Sequence, residues 1–308
     1  MTPARVGVVD LGTNSTRLLV ADVEGSSVRE LDRRLRITRL GEGVDEGRRL
    51  VPAAMARVES VLAEYRSAVD ALAAERALAI ATSAFRDAAN GAAFLREIEE
   101  RFGFATRLLS GEEEALTMFR GVASGREMVA GTLLVDVGGG STELVLGGPG
   151  GVEFHVSLDL GCVRLTERFL VHDPPAQEEL AACAAYVRSV LAERVPTWVA
   201  PAAAIGVAGT VTTLATLDLG LEEEVPERVH GHVMSAEWIT VEVGRLASAT
   251  VAGLRARPGI HHDRAPVIVA GAIVLREALA HFGLATLEAS ERDIMHGAAL
   301  VAAEGVSS

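Results

Sequence analysis

The stretch V-V-D-L-G-T-N-S-T-R-L at residues 8–18 recurs as L-V-D-V-G-G-G-S-T-E-L at residues 134–144. Asp10 aligns with Asp136, and the same offset of 126 residues holds at every position of the two copies. Each copy has an apolar run, a turn rich in small residues and a second apolar run, which predicts strand, turn, strand. A single long-period repeat of this kind indicates a duplicated domain rather than a solenoid.

The rest of the sequence alternates between strand and helix patterns, which predicts an α/β fold with mixed sheets. We predict further strands over 78–82, 106–109, 152–158 and 202–207, beside those over 5–10, 16–23, 132–136 and 142–146. Helices are predicted over 52–72, 87–102, from residue 110, and over 175–195, 235–249, 264–282 and 290–303, with a surface loop over 217–232. A break in the helical pattern at 124–130 divides the chain into domains 1–125 and 126–308, and the closing helix at about 290–304 is expected to pack back on the first domain.

Composition excludes several classes of protein. The chain has 308 residues, 42 acidic and 29 basic, and a formal net charge of −13, which disfavours general nucleic-acid binding. All basic residues are arginine, so a P-loop nucleotide hydrolase and Schiff-base chemistry are excluded, because both need a lysine. No run is long enough for a membrane span and the first residues lack a secretory signal pattern, so we expect a cytoplasmic protein with no membrane or nucleic-acid partner.

The two repeated turns carry the residue types that bind phosphate. Glycine lets the backbone approach a ligand and lets successive amide groups point into one concavity, while hydroxyls and arginine add donors. The carboxylate before each turn can hold a divalent cation. An ordinary hairpin turn also needs glycine, but the repetition of the pattern makes a purely structural explanation of these glycines less convincing. The candidate phosphate-binding residues of the turns are Asp10, Gly12, Thr13, Asn14, Ser15, Arg17, Gly138, Gly139, Gly140, Ser141 and Thr142.

Several residues outside the turns have both a structural and a functional reading. Glu112 and Glu113 are interpreted as part of a helix start, with Ser110 and Glu113 forming a capping box. Glu143 could be a solvent-facing strand residue, and Arg86 could pair with Asp87 or with a helix acid. Arg164 likewise could pair with an acid or contact a ligand, and the Gly209–Thr210 segment could be a plain turn or a phosphate cradle. The histidines 230, 232, 261 and 262 are interpreted as structural or surface residues. Cys162 and Cys183 are interpreted as buried small hydrophobes.

Six segments together resemble one family. The pattern is similar to the exopolyphosphatase/guanosine pentaphosphate phosphohydrolase family, a branch of the actin/sugar-kinase/Hsp70 superfamily, in its short two-domain type. The resemblance implies two duplicated actin-like (ribonuclease H-like) domains with mixed sheets flanked by helices and an interdomain cleft. The matching segments, which span nearly the whole chain, are 8–18, 81–90, 109–115, 135–144, 161–169 and 207–215.

The resemblance also implies roles for particular residues. Glu114 is similar to the catalytic acid of the family, which would deprotonate the attacking water. Asp136 and Glu143 resemble residues that hold Mg²⁺ and position that water. We count Asp10 as a further metal candidate, with Mn²⁺ and K⁺ as alternative ions. Phosphate contacts are expected from the turn residues and from Arg86, Arg164, Gly209 and Thr210, whereas Pro266 replaces the usual Asp and weakens what can be inferred for its segment.

The predicted activity is Mg²⁺-dependent exopolyphosphatase activity, the removal of terminal phosphate from inorganic polyphosphate. Guanosine pentaphosphate is the alternative substrate, and a catalytically silent polyphosphate- or nucleotide-binding regulator is an alternative of another class. A kinase is less favoured because no acceptor motif is present. We expect a homodimer, a pKa of Glu114 raised by Asp136 and Glu143, and a positive channel formed by Arg17, Arg86 and Arg164.

Overall fold

A computed structural model describes residues 3–305 of the chain. These residues form two compact units, and each has its own sheet and core. The first unit comprises residues 3–127 together with 292–305, and the second comprises Met128–Glu291. The closing segment, which the sequence-based division gives to the second domain, therefore lies in the first unit.

The first unit is built on a five-stranded mixed sheet. Its order is β3-β2-β1-β4-β5, with β1–β2 and β2–β3 antiparallel and β1–β4 and β4–β5 parallel. The strands are β1 (Ala4–Leu11), β2 (Ser15–Glu24), β3 (Ser27–Ile37), β4 (Arg76–Ala81) and β5 (Ala105–Leu108).

The second unit repeats that order. Its strands run β10-β11-β9-β6-β7-β8, with β6–β7 and β7–β8 antiparallel and β6–β9 and β9–β11 parallel. Read from β8, the sequence of strand directions is that of the first unit, so the predicted duplication and fold class are confirmed. The strands are β6 (Thr132–Val137), β7 (Thr142–Gly148), β8 (Gly151–Leu158), β9 (Ala203–Val207), β10 (Val233–Ser235) and β11 (Thr286–Ala289).

Thirteen helices cover the described sheets, and none of those described is both long and apolar enough to cross a membrane. In the first unit they are α1 (Val44–Gly47), α2 (Pro52–Ala71), α3 (Ser83–Asp87), α4 (Gly91–Phe102), α5 (Gly111–Ala123) and α13 (Ile294–Glu304). In the second unit they are α6 (Cys162–Phe169), α7 (Gln177–Arg194), α8 (Ala208–Asp218), α9 (Pro226–Val229), α10 (Ala236–Ala247), α11 (Val251–Ala256) and α12 (Ile268–Phe282).

Three predicted elements need correction. The helix predicted over 87–102 begins only at Gly91, because Ala88 is extended and Asp87 is the last residue of the separate short helix α3. The helix predicted from residue 264 begins at Ile268, after a turn. The predicted surface loop over 217–232 contains the short helix α9, whose Val229 is fully buried.

Strand β3 was not predicted from the sequence. It carries alternating charges, R-E-L-D-R-R-L-R, because it lies at the edge of the sheet, where one side has no neighbouring strand. Such an edge tolerates charged side chains on both faces, so the usual alternation of apolar and polar residues is lost. The short strands β10 and β11 were missed as well.

Helices α5 and α13 approach each other closely through glycine. A methyl group on Gly121 of α5 would overlap the carbonyl oxygen of Asp293, and one on Gly297 of α13 would overlap that of Thr117. Only hydrogen at these two positions permits the observed distance between the helices. The contact fixes α13 against the helix that begins at Gly111.

This contact predicts a large cost for one added methyl group. Gly121→Ala should destabilise the protein by about 3 kcal/mol, because backbone of α13 has to move. The matched control is Gly244→Ala in α10, where nothing lies within 4 Å of the added carbon. That change should be neutral or stabilise by about 0.5–1 kcal/mol. Urea unfolding of both variants measures the difference, and equal stabilities would contradict the close packing.

Candidate functional site

The turn between β1 and β2 has its carbonyl groups tied to the protein. The carbonyl oxygen of Asn14 accepts from the amides of Thr38 and Arg39, at 3.1 and 2.9 Å, and that of Thr13 accepts from Gly41 at 2.8 Å. Within residues 3–305 the amides of Thr13 and Asn14 have no hydrogen-bond acceptor. The turn therefore offers amide donors to a ligand.

The turn between β6 and β7 has the same organisation. The carbonyl oxygens of Gly138 and Gly139 accept from the first amides of α6, those of Cys162 and Val163, at 2.9 Å each. In the part of the chain that the structure describes, the amides of residues 139–141 have no acceptor. Successive backbone amides without acceptors are the donors from which anion-binding concavities are built. This arrangement explains the glycines better than a plain hairpin turn does.

Two residues predicted to contact phosphate also support the second turn. The hydroxyl of Thr142 donates to the carbonyl oxygen of Leu160 at 2.8 Å, and Thr142 is fully buried. The Nε of Arg164 donates to the carbonyl oxygen of Gly140 at 2.9 Å. Arg164 therefore holds a carbonyl group of the turn, and Thr142 holds the start of the strand that follows it.

The residue across from each repeated aspartate distinguishes the two hairpins. Asp10 pairs in the sheet with Arg17, and its Oδ2 accepts from Nε and Nη2 of that arginine at 2.9 and 2.6 Å. Asp136 pairs in the sheet with Glu143. Residues directly opposite in an antiparallel pair lie on the same face, so the first hairpin carries an ion pair and the second carries two carboxylates. Asp10, which was predicted as a metal ligand, is thus already bound by Arg17.

The carboxylate pair of the second hairpin is buried. Glu143 is 2 % exposed and accepts from Ser157 Oγ at 2.8 Å, so the solvent-facing alternative is wrong. Asp136 is 9 % exposed. Mg²⁺ binds through one or two carboxylates and completes its shell with water and substrate phosphate. Two buried, opposed carboxylates fit that ion, while the described residues contain no group of three or more ligands that would enclose a metal.

Glu114 lies in the first turn of α5. The capping box of Ser110 and Glu113 that begins this helix is confirmed, with its two bonds at 3.1 and 2.8 Å. Glu114 follows on the buried side and is 7 % exposed. Its Oε2 accepts from Arg86 Nη1 at 2.7 Å, so Arg86 pairs with a helix acid and not with its neighbour Asp87.

The pKa of Glu114 is raised, as predicted, although the cause differs. Burial of the carboxylate is the largest contribution, Arg86 opposes it, and the charge of Asp10 adds to it. The predicted contributions of Asp136 and Glu143, which belong to the second unit, stay a prediction. A carboxyl group with a raised pKa is suited to accept a proton near neutral pH.

A hydrogen-bonded pair of hydroxyls links the first turn to the start of α3. Thr13 Oγ1 and Ser83 Oγ lie 2.9 Å apart, and both residues are buried. Ser83 begins α3, the short helix that also carries Arg86. Sequence reasoning passed over Ser83 although it lies inside the segment 81–90, because a serine at a helix start is usually only a cap.

Gly209 and Thr210 lie in the first turn of a helix rather than in a loop. Strand β9 ends at Val207, and α8 begins at Ala208, whose φ of 66° is in the left-handed region. The guanidinium of Arg264 lies against Gly209, donates to its carbonyl oxygen and reaches Thr212 Oγ1 at 3.1 Å. Arg264 was not predicted, because it was assigned to the start of a helix. It lies two residues before Pro266, in the segment that departs from the family pattern.

The histidines and cysteines have structural surroundings. His232 Nε2 lies 2.7 Å from Asp218 Oδ2, and His262 is exposed beside Asp263. Among residues 3–305 no histidine belongs to a cluster that could hold a metal. Cys162 and Cys183 are buried free thiols, and burial raises their pKa values to about 12 and about 11. Their predicted role as small hydrophobes is confirmed.

The duplicated sheets, the two turns with amides that have no acceptor among the described residues, and the buried carboxylates define a two-unit actin-like fold. Comparison with known proteins gives the family. Residues 19–303 match the model of the Ppx/GppA phosphatase family, and the chain belongs to that family. It is therefore a phosphoanhydride hydrolase, as the sequence resemblance predicts.

Individual relatives align over nearly the whole chain. Exopolyphosphatase 2 of Mycobacterium tuberculosis is 39% identical over 97% of this chain and 99% of its own length. The crystal structure of the Aquifex aeolicus member of the Ppx/GppA family superposes with a TM-score of 0.83 at 30% identity, over 99% of both chains. The guanosine-5'-triphosphate,3'-diphosphate pyrophosphatase of Pseudoalteromonas translucida is 28% identical over 87% of this chain but only 53% of its own length.

The ion pair of Glu114 predicts a stability effect that depends on pH. In Arg86→Gln the buried carboxylate loses its cation, which should cost about 2–3 kcal/mol near neutral pH. Because the pKa of Glu114 in the folded protein lies above its ordinary value of 4.5, the folded state holds the proton more tightly, and stability falls as pH rises above that value. The cost of Arg86→Gln should therefore be smaller at pH 5 than at pH 8.

Urea unfolding at the two pH values measures this cost. The matched control is Arg107→Gln, which removes the partner of the neighbouring Glu113 in a pair that is about 40% exposed on both sides. It should cost under about 1 kcal/mol at either pH. A cost of Arg86→Gln that is equal at both pH values would contradict the buried pair.

Proposed function

We propose that the protein is an exopolyphosphatase, which hydrolyses the terminal phosphoanhydride bond of inorganic polyphosphate with Glu114 as the general base. The observation that carries the proposal is the buried Glu114 carboxylate with its raised pKa, beside Asp10 and Arg86. Phosphoryl transfer to water has a loose transition state, so such a site acts mainly by orienting the water and stabilising charge. A base with a pKa near the working pH removes the proton of that water efficiently.

The amides of the two turns are the proposed phosphate ligands. Backbone amides bind phosphate oxygens without adding net charge, and those of residues 139–141 and of Thr13 and Asn14 are oriented away from protein acceptors. Arg86 adds a guanidinium that Glu114 holds. Arg164 and Thr142 support the second turn from its carbonyl side.

Asp136 and Glu143 are the proposed ligands of Mg²⁺, with Mn²⁺ as a substitute. The bound ion would neutralise charge on phosphate oxygens. Their burial and their opposed positions on β6 and β7 support this assignment. Two carboxylates buried on one face repel each other, and a bound cation would offset that repulsion. We do not extend the assignment to Asp10, because Arg17 takes that place in the first hairpin.

Polyphosphate is favoured over guanosine pentaphosphate as the substrate. Exopolyphosphatase 2 of Mycobacterium tuberculosis is 39% identical to this chain, whereas the guanosine-5'-triphosphate,3'-diphosphate pyrophosphatase is 28% identical. The second candidate function is hydrolysis of the pentaphosphate, which ends in the same type of bond. A non-catalytic regulator is disfavoured, because it would not need a buried base and a buried acid pair.

The role of Glu114 predicts a selective loss of activity. Glu114→Gln should lower phosphate release from long-chain polyphosphate by about 10²–10⁴-fold, because the variant cannot accept the proton. Glu113→Gln is the matched control: it alters the neighbouring capping glutamate and should keep nearly full activity. Parallel assays on polyphosphate and on guanosine pentaphosphate identify the substrate. Release from the pentaphosphate alone would replace the proposed substrate, and release from neither would remove the proposed function.

The acid pair predicts a metal site that can be measured without turnover. Mn²⁺ binding followed by electron paramagnetic resonance should show a site that Glu143→Gln weakens at least tenfold, since a carboxylate is the stronger ligand for a hard cation. Glu153→Gln on the adjacent strand β8 is the control and should bind as the wild type does. Binding that is unchanged in Glu143→Gln would contradict the assignment.

A further inference from the structure

Two buried hydroxyls meet at the edge of the first sheet where the turn between β1 and β2 lies. Strands β1 and β4 are parallel, and Leu11 pairs with Ala81 at their ends. Two residues beyond those partners, Thr13 Oγ1 and Ser83 Oγ lie 2.9 Å apart. Thr13 is 8 % exposed and Ser83 is 5 % exposed. In open α/β sheets ligands bind outside the carboxyl ends of the strands, and this hydroxyl pair lies there.

The side chain of Thr13 is held on two sides by Gly41. The amide of Gly41 donates to the carbonyl oxygen of Thr13 at 2.8 Å. A β-carbon on Gly41 would lie 2.1 Å from Cγ2 of Thr13, so the threonine methyl group packs against bare backbone. Because its carbonyl and its methyl group are both fixed in this way, the hydroxyl of Thr13 is the group that faces Ser83.

Ser83 is fixed by the short helix to which it belongs. Helix α3 has five residues, and Arg86 in its last turn donates from Nη1 to Oε2 of Glu114 at 2.7 Å. Phe85 of the same helix is buried and stacks on Phe94, with the ring centroids 5.8 Å apart. These contacts hold Ser83 at the end of β4, beside the first turn.

A count of protons leaves one donor of the hydroxyl pair without a protein acceptor. Each hydroxyl has one proton, and the bond between Thr13 and Ser83 uses one of the two. Among residues 3–305 neither hydroxyl has a further hydrogen-bond partner. The second O–H is therefore a buried donor. Such groups usually have an acceptor, because leaving a buried donor without one costs free energy.

The same count applies to a second hydroxyl pair, so position decides the use of the spare proton. Thr16 Oγ1 and Thr38 Oγ1 also lie 2.9 Å apart, and both residues are buried. Thr13, however, belongs to the turn in which its own amide and that of Asn14 have no acceptor among the described residues. The spare hydroxyl proton thus adjoins two amide donors. Neighbouring donors of this kind favour an anion with several oxygens, such as phosphate.

We propose that Ser83 is a further phosphate-binding residue, which acts together with Thr13: one hydroxyl donates to the other, and that one donates to a phosphate oxygen. The proposal rests on the proposed function and adds a side-chain donor to the amides of the first turn. A hydroxyl that accepts one hydrogen bond becomes a stronger donor in the next. The pair can serve in either order, since both oxygens accept as well as donate.

Calorimetry without turnover tests the hydroxyl pair. Binding of inorganic tripolyphosphate with Mg²⁺ is measured in Glu114→Gln and in the same variant carrying Ser83→Ala, Thr13→Val or both. Loss of the hydroxyl that donates to phosphate should weaken binding about tenfold, as for one hydrogen bond to a charged group, and loss of the other about threefold. The double variant should bind as weakly as the weaker single variant, because the two hydroxyls supply one donor between them.

Thr16→Val is the matched control, because it removes a hydroxyl from the other buried pair. It should leave the affinity for tripolyphosphate within about twofold of that of the Glu114→Gln parent. Effects of Ser83→Ala and Thr13→Val that multiply in the double variant overturn the proposal. Single variants that bind as the parent does, a Thr16→Val variant that binds as weakly as they do, and a parent that does not bind tripolyphosphate each overturn it as well.

Steady-state kinetics on long-chain polyphosphate separate binding from placement of the base. A contact made equally in the ground state and the transition state affects KM and leaves kcat unchanged. We expect Ser83→Ala to raise KM by about three- to tenfold, with kcat within about twofold of the wild-type value. A loss confined to kcat would mean that Ser83 only holds α3 and Arg86 in place, and it would overturn the proposal. If the wild type released no phosphate, the proposed function would fail, while calorimetry would still decide whether the hydroxyl pair binds phosphate.

Discussion

The interaction on which the structure depends is the pairing of buried carboxylates at the ends of the first strands of the two sheets. A carboxylate removed from water is costly unless a cation or hydrogen-bond donors compensate it. In the first hairpin, Arg17 supplies that compensation to Asp10. In the second, the equivalent position is Glu143, so two acidic side chains stand opposite each other on neighbouring strands. One difference between the duplicated hairpins thus separates an ion pair from a pair of acidic side chains.

The turns that follow these carboxylates are organised alike, but different chain segments hold them in place. In each turn the carbonyl oxygens are occupied by amides from another segment: residues 38–41 in the first unit and the start of α6 in the second. Because the carbonyls are turned toward the protein, the amides remain for a ligand. The chain segments that tie the carbonyls have no sequence similarity to each other, so the duplication preserved the orientation of the peptide groups rather than the residues that hold them.

The sequence was sufficient to predict what depends on local pattern. The repeat at residues 8–18 and 134–144 identified the duplicated sheets, and the capping box at Ser110 located the start of α5. Edge strand β3 could not be predicted, because its charges are tolerated only where no further strand is added. Arg264 and Asp293 could not be assigned either, since their partners lie about 55 and 276 residues away and only the folded chain brings them together. The fold was thus more predictable than the pairs of charges it brings together.

The net charge of −13 at first argues against a polyanionic substrate. The three arginines that were expected to form a positive channel all contact protein oxygens: Arg17 contacts two aspartates, Arg86 contacts Glu114, and Arg164 contacts a glycine carbonyl. Each of these three side chains therefore already has an acceptor within the protein. Backbone amides and a bound cation can hold phosphate oxygens without a surplus of positive side chains, because amide dipoles act only at short range and the cation arrives with its own charge. An acidic protein can then bind a polyanion at its terminal phosphates while repelling the rest of the chain. For binding of that kind the orientation of a few peptide groups matters more than the overall charge, because amide dipoles act only at short range.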